Sequence, residues 1–240
     1  MCAAPGGKAT HIAQKMGQVD RRPLTDSFTF SNSCHQGCVI ALDRSSKKVD
    51  RLIANIKKTG LEGVVHAYVA DARKILDRSL SSMDRGLILD CPPSSSSKKM
   101  GLAFGPCTFD RVLLDPPCSG LGLRPQLKDD ATTLRELNNI VEYQKALFSV
   151  AAELVCTGGY LAYSTCTINP SENEEMVSWA LNLFHDLELV APENPALLVG
   201  QPGLKNCGLG DHQRHLVQRF DPSDSVLDCN GFFIALFRKS

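Results

Sequence analysis

"GCVIALDRSSKKVDRLIANIKKTG", residues 37–60, passes from one apolar periodicity to another. Residues 37–43 form a short apolar run closed by Asp43, after which Val49, Leu52, Ile53 and Ile56 recur at helical spacing as far as Gly60. A strand running directly into an amphipathic helix is predicted, with glycine as the stop. The design recurs. Residues 64–71 (VVHAYVAD) and 109–115 (FDRVLLD) are again apolar strands ended by an acid. The stripe Leu134, Leu137, Ile140, Val141, Leu147, Val150, Ala151 and Leu154 predicts a long helix, stopped by Gly158 and Gly159 before a strand at 160–164. Pro170 precedes Ser171-Glu172-Asn173-Glu174, which reads as a capping box opening a helix over 172–184, and residues 231–237 (GFFIALF) read as a final strand. Strands alternating with helices imply an α/β fold: a mostly parallel sheet with helices on both faces and ligands outside the carboxyl ends of the strands. Asp43, Asp71 and Asp115 would then share one rim, each as a helix cap or as a ligand contact.

The chain reads as one domain over residues 1–240, with two interruptions. Residues 18–36 and residues 78–108, the latter containing CPPSSSSKK, exceed the usual connections of about 2–6 residues, so they are lids or tolerated insertions, and insertions are favoured. Residues 191–230 lack periodicity, but their prolines and glycines suggest an ordered, looping segment.

Lys and Arg (26) balance Asp and Glu (26), so no overall charge draws the chain to nucleic acid or membrane. With 43% hydrophobic and 22% charged residues, no run of 18 apolar residues and no charged-then-apolar leader, the sequence reads as a globular chain that is neither membrane-spanning nor secreted. A reducing, cytoplasmic compartment follows, and the ten scattered cysteines read as free thiols. Cys34 and Cys38 with His35 between them, and Cys207 ahead of His212 and His215, do not match a zinc-site spacing; no metal is expected.

Three stretches carry chemistry. CAAPGGK, residues 2–8, sets Gly6 and Gly7 directly before a helical pattern, where backbone amides can approach a ligand, and Asp43 ends the next strand where such folds bond ribose hydroxyls. LLDPPCSGLG, residues 113–122, places Asp115 and Cys118 in a rigid turn after a strand. YSTCT, residues 163–167, places Cys166 at the mouth of another. Consecutive strands usually lie side by side, so Cys118 and Cys166 can face one cleft.

In this order CAAPGGK, ALDRS, DPPCSG and YSTCTINPSENE resemble the motifs of Sun-type RNA cytosine-5 methyltransferases, while QRFDPS (218–223) and GFFIALF resemble the branch called family member six, which carries a PUA RNA-binding domain. The resemblance implies a Rossmann-like class I fold, S-adenosyl-L-methionine as cofactor, and an RNA substrate, tRNA first and mRNA second, methylated on cytosine carbon 5 by a monomer. Carbon 5 is too poor a nucleophile until a thiolate adds at carbon 6. The resemblance makes Cys166 that thiolate, gives Cys118 the release step and has Asp115 bond the ring nitrogen and exocyclic amine; Lys8 could orient Asp115. Lys8 and a helix N-terminus at 171–174 would favour the thiolate. Cys2, Ala3, Ala4, Pro5, Gly6, Gly7 and Lys8 are assigned to the methionine end of the cofactor, Asp43 to the ribose, Asp71 to the adenine side and Asp115 to the methionine moiety; Asp71 is alternatively a helix cap.

Two other readings compete. A DNA cytosine-5 methyltransferase would use Cys118 alone and leave Cys166 without a task. A catalytically silent fragment would only bind cofactor or a partner. The family pattern also has an apolar strand before CAAPGGK, where only Met1 stands, so the expectation is an N-terminally truncated chain without its first strand or PUA domain, marginally stable and weak in tRNA selection. Lys47, Lys48, Lys57, Lys58, Arg111, Arg124 and Lys128 are phosphate contacts or solvated charges.

Overall fold

A computed structural model describes residues 1–18, 37–80, 102–124 and 132–240; most of the two expected insertions, together with Cys34, His35 and Lys128, lies outside them. The described residues fall into two compact units, the first made of those in 1–74 with Leu102 and the second of those in 75–80 and 103–240.

The first unit realises the pattern of residues 37–60. Val39–Asp43 (β1) pairs in parallel with Val65–Val69 (β2), Val39 opposite Val65 and Asp43 opposite Val69. Ser46–Thr59 (α2) connects them, starting at Ser45, whose hydroxyl accepts the Lys48 N–H, and ending at Gly60 in the left-handed conformation. Val49, Leu52 and Ile56 are buried, whereas Ile53 flanks that stripe and is only half-buried. Leu52 and Ile56 pack with Ala41, Val65 and with Ala9 and Ala13 of Gly7–Gln18 (α1). Each large aliphatic side chain removed from water there contributes about 1.5–3 kcal/mol.

The second unit is built on Phe109–Leu114 (β3), Leu134–Leu154 (α3), Val155–Thr165 (β4), Glu174–Leu183 (α4), Leu187–Leu189 (β5), Gln218–Phe220 (β6) and Phe232–Lys239 (β7). β3 and β4 are parallel, but β4, β5 and β6 all pair antiparallel with β7. The α/β class holds, while this sheet is mixed instead of mostly parallel: β7 runs back between β4 on one side and β5 and β6 on the other. Phe148 of α3 meets Tyr163 of β4, Trp179 of α4 and Phe237 of β7 edge-on, with ring centroids 5.3 to 6.1 Å apart.

Three local expectations are corrected. Gly158 and Gly159 do not stop α3; it ends at Leu154, and β4 begins at once with the glycines inside it. They occupy an irregularity in which Phe109 faces Val155 but Arg111 faces Tyr160, so β4 carries three more residues than β3 between the two pairings. Gly158 has φ +77°, and a Cβ on Gly159 would lie 2.7 Å from the Asp110 carbonyl oxygen. Secondly, the segment 78–108 is not all insertion: Phe104 is fully buried, stacks edge-on with Phe109 and bridges to Leu76. Thirdly, α4 starts at Glu174, two residues later than expected, behind a 3-10 turn over Pro170–Glu172. Among the described residues no helix is long and apolar enough to cross a membrane.

Candidate active site

Both sequence-predicted thiols leave neighbouring parallel strands. β3 ends at Leu114 and delivers Asp115; β4 carries Ser164 near its end, and the Ser164 hydroxyl donates to Asp115 Oδ1 at 2.8 Å. From that bond the two chains diverge into their loops, three residues to Cys118 and two to Cys166. The loops then meet again. Cys118 Sγ and Cys166 Sγ lie 3.1 Å apart, both free thiols and both partly buried. A disulfide would need about 2.05 Å, so the contact is a shared proton, not a bond. Hydrogen bonding to Cys166 first, and burial second, push the Cys118 thiol up from its ordinary range.

Beneath the thiols is a polar cluster that the sequence reading misassigned. Glu172 is fully buried, and Ser119 N–H (3.0 Å), Ser119 Oγ (2.6 Å), Gln144 Nε2 (2.8 Å) and Asn169 Nδ2 (3.1 Å) all donate to its carboxylate. The expected capping box is absent: α4 has no side-chain cap, Ser171 Oγ donates to Glu175, and the box's Glu174 is held by Arg219 and the Leu204 N–H. Since the Ser119 hydroxyl proton goes to Glu172, its oxygen accepts from Thr167 Oγ1 at 2.7 Å. The second Gln144 amide proton goes to the Pro117 carbonyl at 3.0 Å. Tyr163, whose ionisation burial and then the charge of Glu172 oppose, shares its hydroxyl proton between Gln144 Oε1 and the Glu172 carbonyl.

Further anchors hold the Cys166 loop. Asn173 takes the Thr165 hydroxyl and gives an amide proton to the Thr167 carbonyl, and Gly122 N–H reaches the Cys166 carbonyl at 3.2 Å. Arg219 pairs with both oxygens of fully buried Glu174 and also donates to the Ile168 carbonyl. Gly122 and Gly231 touch backbone to backbone, where a Cβ on Gly122 would sit 2.5 Å from the Gly231 oxygen. α4 opens at Glu174, with Glu174 and Glu175 in its first turn and Glu174 paired with Arg219.

The cofactor candidates other than Asp115 belong to the first unit. Cys2 to Gly6 form a turn ahead of α1, pinned by Ala3 N–H to the Leu42 carbonyl (2.7 Å) and by Asn55 Nδ2 to the Pro5 carbonyl (2.7 Å). Gly6 needs to be glycine: its φ is +110°, and a Cβ would lie 2.5 Å from Leu52 Cδ1. Gly7 and the exposed Lys8 form the first turn of α1. Asp43 ends β1 and accepts the Ser45 N–H at Oδ1. Asp71 follows β2 at the same end of the pair, where the Arg73 guanidinium grips both oxygens and holds its pKa down to about 2. It also caps the Ala72–Lys74 turn through the Arg73 N–H.

Of the candidate phosphate contacts, Arg111 lies 4.5 Å from the centroid of the Tyr160 ring, and Arg124 holds Asp228 and the Cys229 carbonyl. Sequence reading missed Gln144, Ser119 and Arg219. Gln144 alone had left a signal: it is an isolated amide on the apolar stripe of α3, between Val141 and Leu147.

Residues 29–238 match the family model described as 16S rRNA methyltransferase RsmB/F. The chain is 37% identical over 261 aligned residues to the tRNA (cytosine(72)-C(5))-methyltransferase NSUN6 of Mus musculus, covering 100% of this chain and 47% of that protein. It is 31% identical over 239 residues to the tRNA (cytosine(72)-C(5))-methyltransferase of Pyrococcus horikoshii, covering 100% and 46%. The solved structure of NSun6 from Pyrococcus horikoshii with SFG matches with a TM-score of 0.66 at 30% identity, covering 100% of this chain and 46% of that one. The chain spans less than half the length of each of these relatives.

Proposed function

Because the chain belongs to the RsmB/F family of methyltransferases, we propose that it methylates carbon 5 of a cytosine in RNA, with tRNA as the first substrate to test and mRNA the second. The observation that carries this reading is the 3.1 Å contact between Cys118 and Cys166 at the mouths of two parallel strands tied by Asp115 and Ser164. A cytosine-5 transfer needs two things from one sulfur pair: a nucleophile for carbon 6 and a partner that helps the adduct to break down.

Cys166 is the nucleophile. A thiolate on Cys166 would accept a hydrogen bond from Cys118 across the 3.1 Å contact, which favours the charged form. Attack forms the sulfur–carbon 6 bond and moves electron density to carbon 5. Asp115, steadied by the Ser164 hydroxyl, accepts from the exocyclic amine and, when it carries a proton, donates it to the ring nitrogen, where negative charge develops. After transfer a base takes the proton from carbon 5, the electrons of that bond restore the double bond to carbon 6, and the sulfur leaves as the Cys166 thiolate. Cys118, once it has given up its own proton, is the base placed for that step.

S-adenosyl-L-methionine, when bound, supplies an electrophilic methyl group. The first unit fits it: the pinned turn of Cys2, Ala3, Ala4, Pro5, Gly6 and Gly7, with Gly6 at φ +110°, would hold its methionine end together with Lys8. Asp43, whose Oδ1 accepts the Ser45 N–H, would hold the ribose hydroxyls; Asp71, gripped by Arg73, would serve the adenine side by sharing an acceptor. The chain acts as a monomer in the cytoplasm, where reducing conditions keep its thiols free.

The test incubates the chain with labelled S-adenosylmethionine and tRNA, mRNA or duplex DNA. Cys166→Ala transfers no methyl group, and Cys118→Ala accumulates a protein–RNA adduct that resists denaturation. An adduct that persists in Cys166→Ala and vanishes in Cys118→Ala reverses the two roles. Binding of cofactor without transfer by the wild type leaves the silent-fragment reading.

A further inference from the structure

We propose that Glu172 is a positioning residue for the cysteine pair: its buried carboxylate clamps the loop of Cys118 to the loop of Cys166 and thereby sets the distance between the two sulfurs. The proposal rests on the function above but is carried by the hydrogen bonds. Cys118 is held on both sides by groups that meet at Glu172. Ser119, which follows it, gives Glu172 two protons, and Gln144 bridges Glu172 to the carbonyl of Pro117, which precedes it. On the other loop, Thr167 is tied to Ser119 through its hydroxyl and to Asn173 through its carbonyl, and Thr165 is tied to Asn173 as well. Each cysteine is therefore fixed through its chain neighbours.

Charge balance makes the residue type specific. Four donors converge on one side chain, and a carboxylate offers only acceptors. A glutamine of nearly the same shape has one oxygen and one NH2, so two of the four donors would face protons. Such a clash inside a buried network shifts the groups that make it. Those groups are the residues beside Cys118.

The pair can be read directly with diamide, which closes a disulfide: the two thiols give up two protons and two electrons, and the diazene double bond of the reagent takes them up. In Glu172→Gln, closure of Cys118 to Cys166, followed by peptide mass spectrometry, should slow about tenfold, and kcat for tRNA methylation should fall about tenfold with KM for tRNA changed less than about twofold. Ser119→Ala removes the hydroxyl that touches both Glu172 and Thr167; it should slow closure about threefold and decides the matter if Glu172→Gln does not fold. Thermal melting identifies which variants are folded. Wild-type closure rates in the folded variants overturn the clamp. A wild-type chain that transfers no methyl group overturns the proposed function, and the closure rates still decide the role of Glu172.

Discussion

Cys118 and Cys166, 48 residues apart in the chain, hold their sulfurs 3.1 Å from each other. Closing that gap to a disulfide requires a movement of only about 1 Å. Mild oxidation of the wild type should therefore join these two cysteines, with a loss of two hydrogens in the peptide mass, and should stop methyl transfer until a reductant is added. Cys118→Ser should abolish the cross-link. Oxidation that instead joins other cysteines would contradict the observed proximity.

Asp115 depends on its neighbour for orientation. Asp115→Asn should lower kcat by at least about a hundredfold, and Ser164→Ala by about tenfold, with the single-turnover rate of methyl transfer as the measurement. Unchanged rates in both variants would remove Asp115 from the chemistry.

Arg219 neutralises Glu174, which has no exposure to solvent. Arg219→Met leaves a buried carboxylate unpaired and should cost about 3–5 kcal/mol in urea unfolding. The double variant Arg219→Met with Glu174→Met should lose much less. Equal losses would mean that the side chains matter for packing and not for charge.

Gly122→Ala pushes a methyl group into the Gly231 carbonyl. The expected cost is about 1–3 kcal/mol of stability, together with slower methyl transfer, since Gly122 also holds the Cys166 carbonyl. A variant as stable as the wild type would show that the two loops separate easily.

Asp71 bears on acid stability. Its folded pKa of about 2 lies below the unfolded value of about 3.9, so its contribution is complete above about pH 4 and is lost as pH falls through about 2. The effect should stay below about 1 kcal/mol, because the ion pair with Arg73 is partly solvated. Asp71→Asn should flatten that limb of the stability curve, as followed by circular dichroism.

The elements legible in the sequence were those whose periodicity is set locally. β1, α2, β2, β3, α3 and β7 coincide with the apolar runs because each buries a face of its own. Cys118 and Cys166 could be brought together in advance, since each follows a strand and the strands are neighbours. What escaped was decided by distant partners. Ser171-Glu172-Asn173-Glu174 has the letters of a capping box, but Ser119, Gln144 and Arg219, far away in the chain, claim its two glutamates. Gly158 and Gly159 look like a helix stop, yet they form an irregularity imposed by the pairing of β4 with β3. The direction of β7 left no local mark at all.

β7 is made after β4, β5 and β6, yet in the finished sheet it separates β4 from the other two. During synthesis those earlier segments must wait on the ribosome with their backbone amides and carbonyls facing water or a chaperone. The sheet behind the thiol pair would thus be completed only once β7 has been made, and a nascent chain stalled before it would be an aggregation hazard.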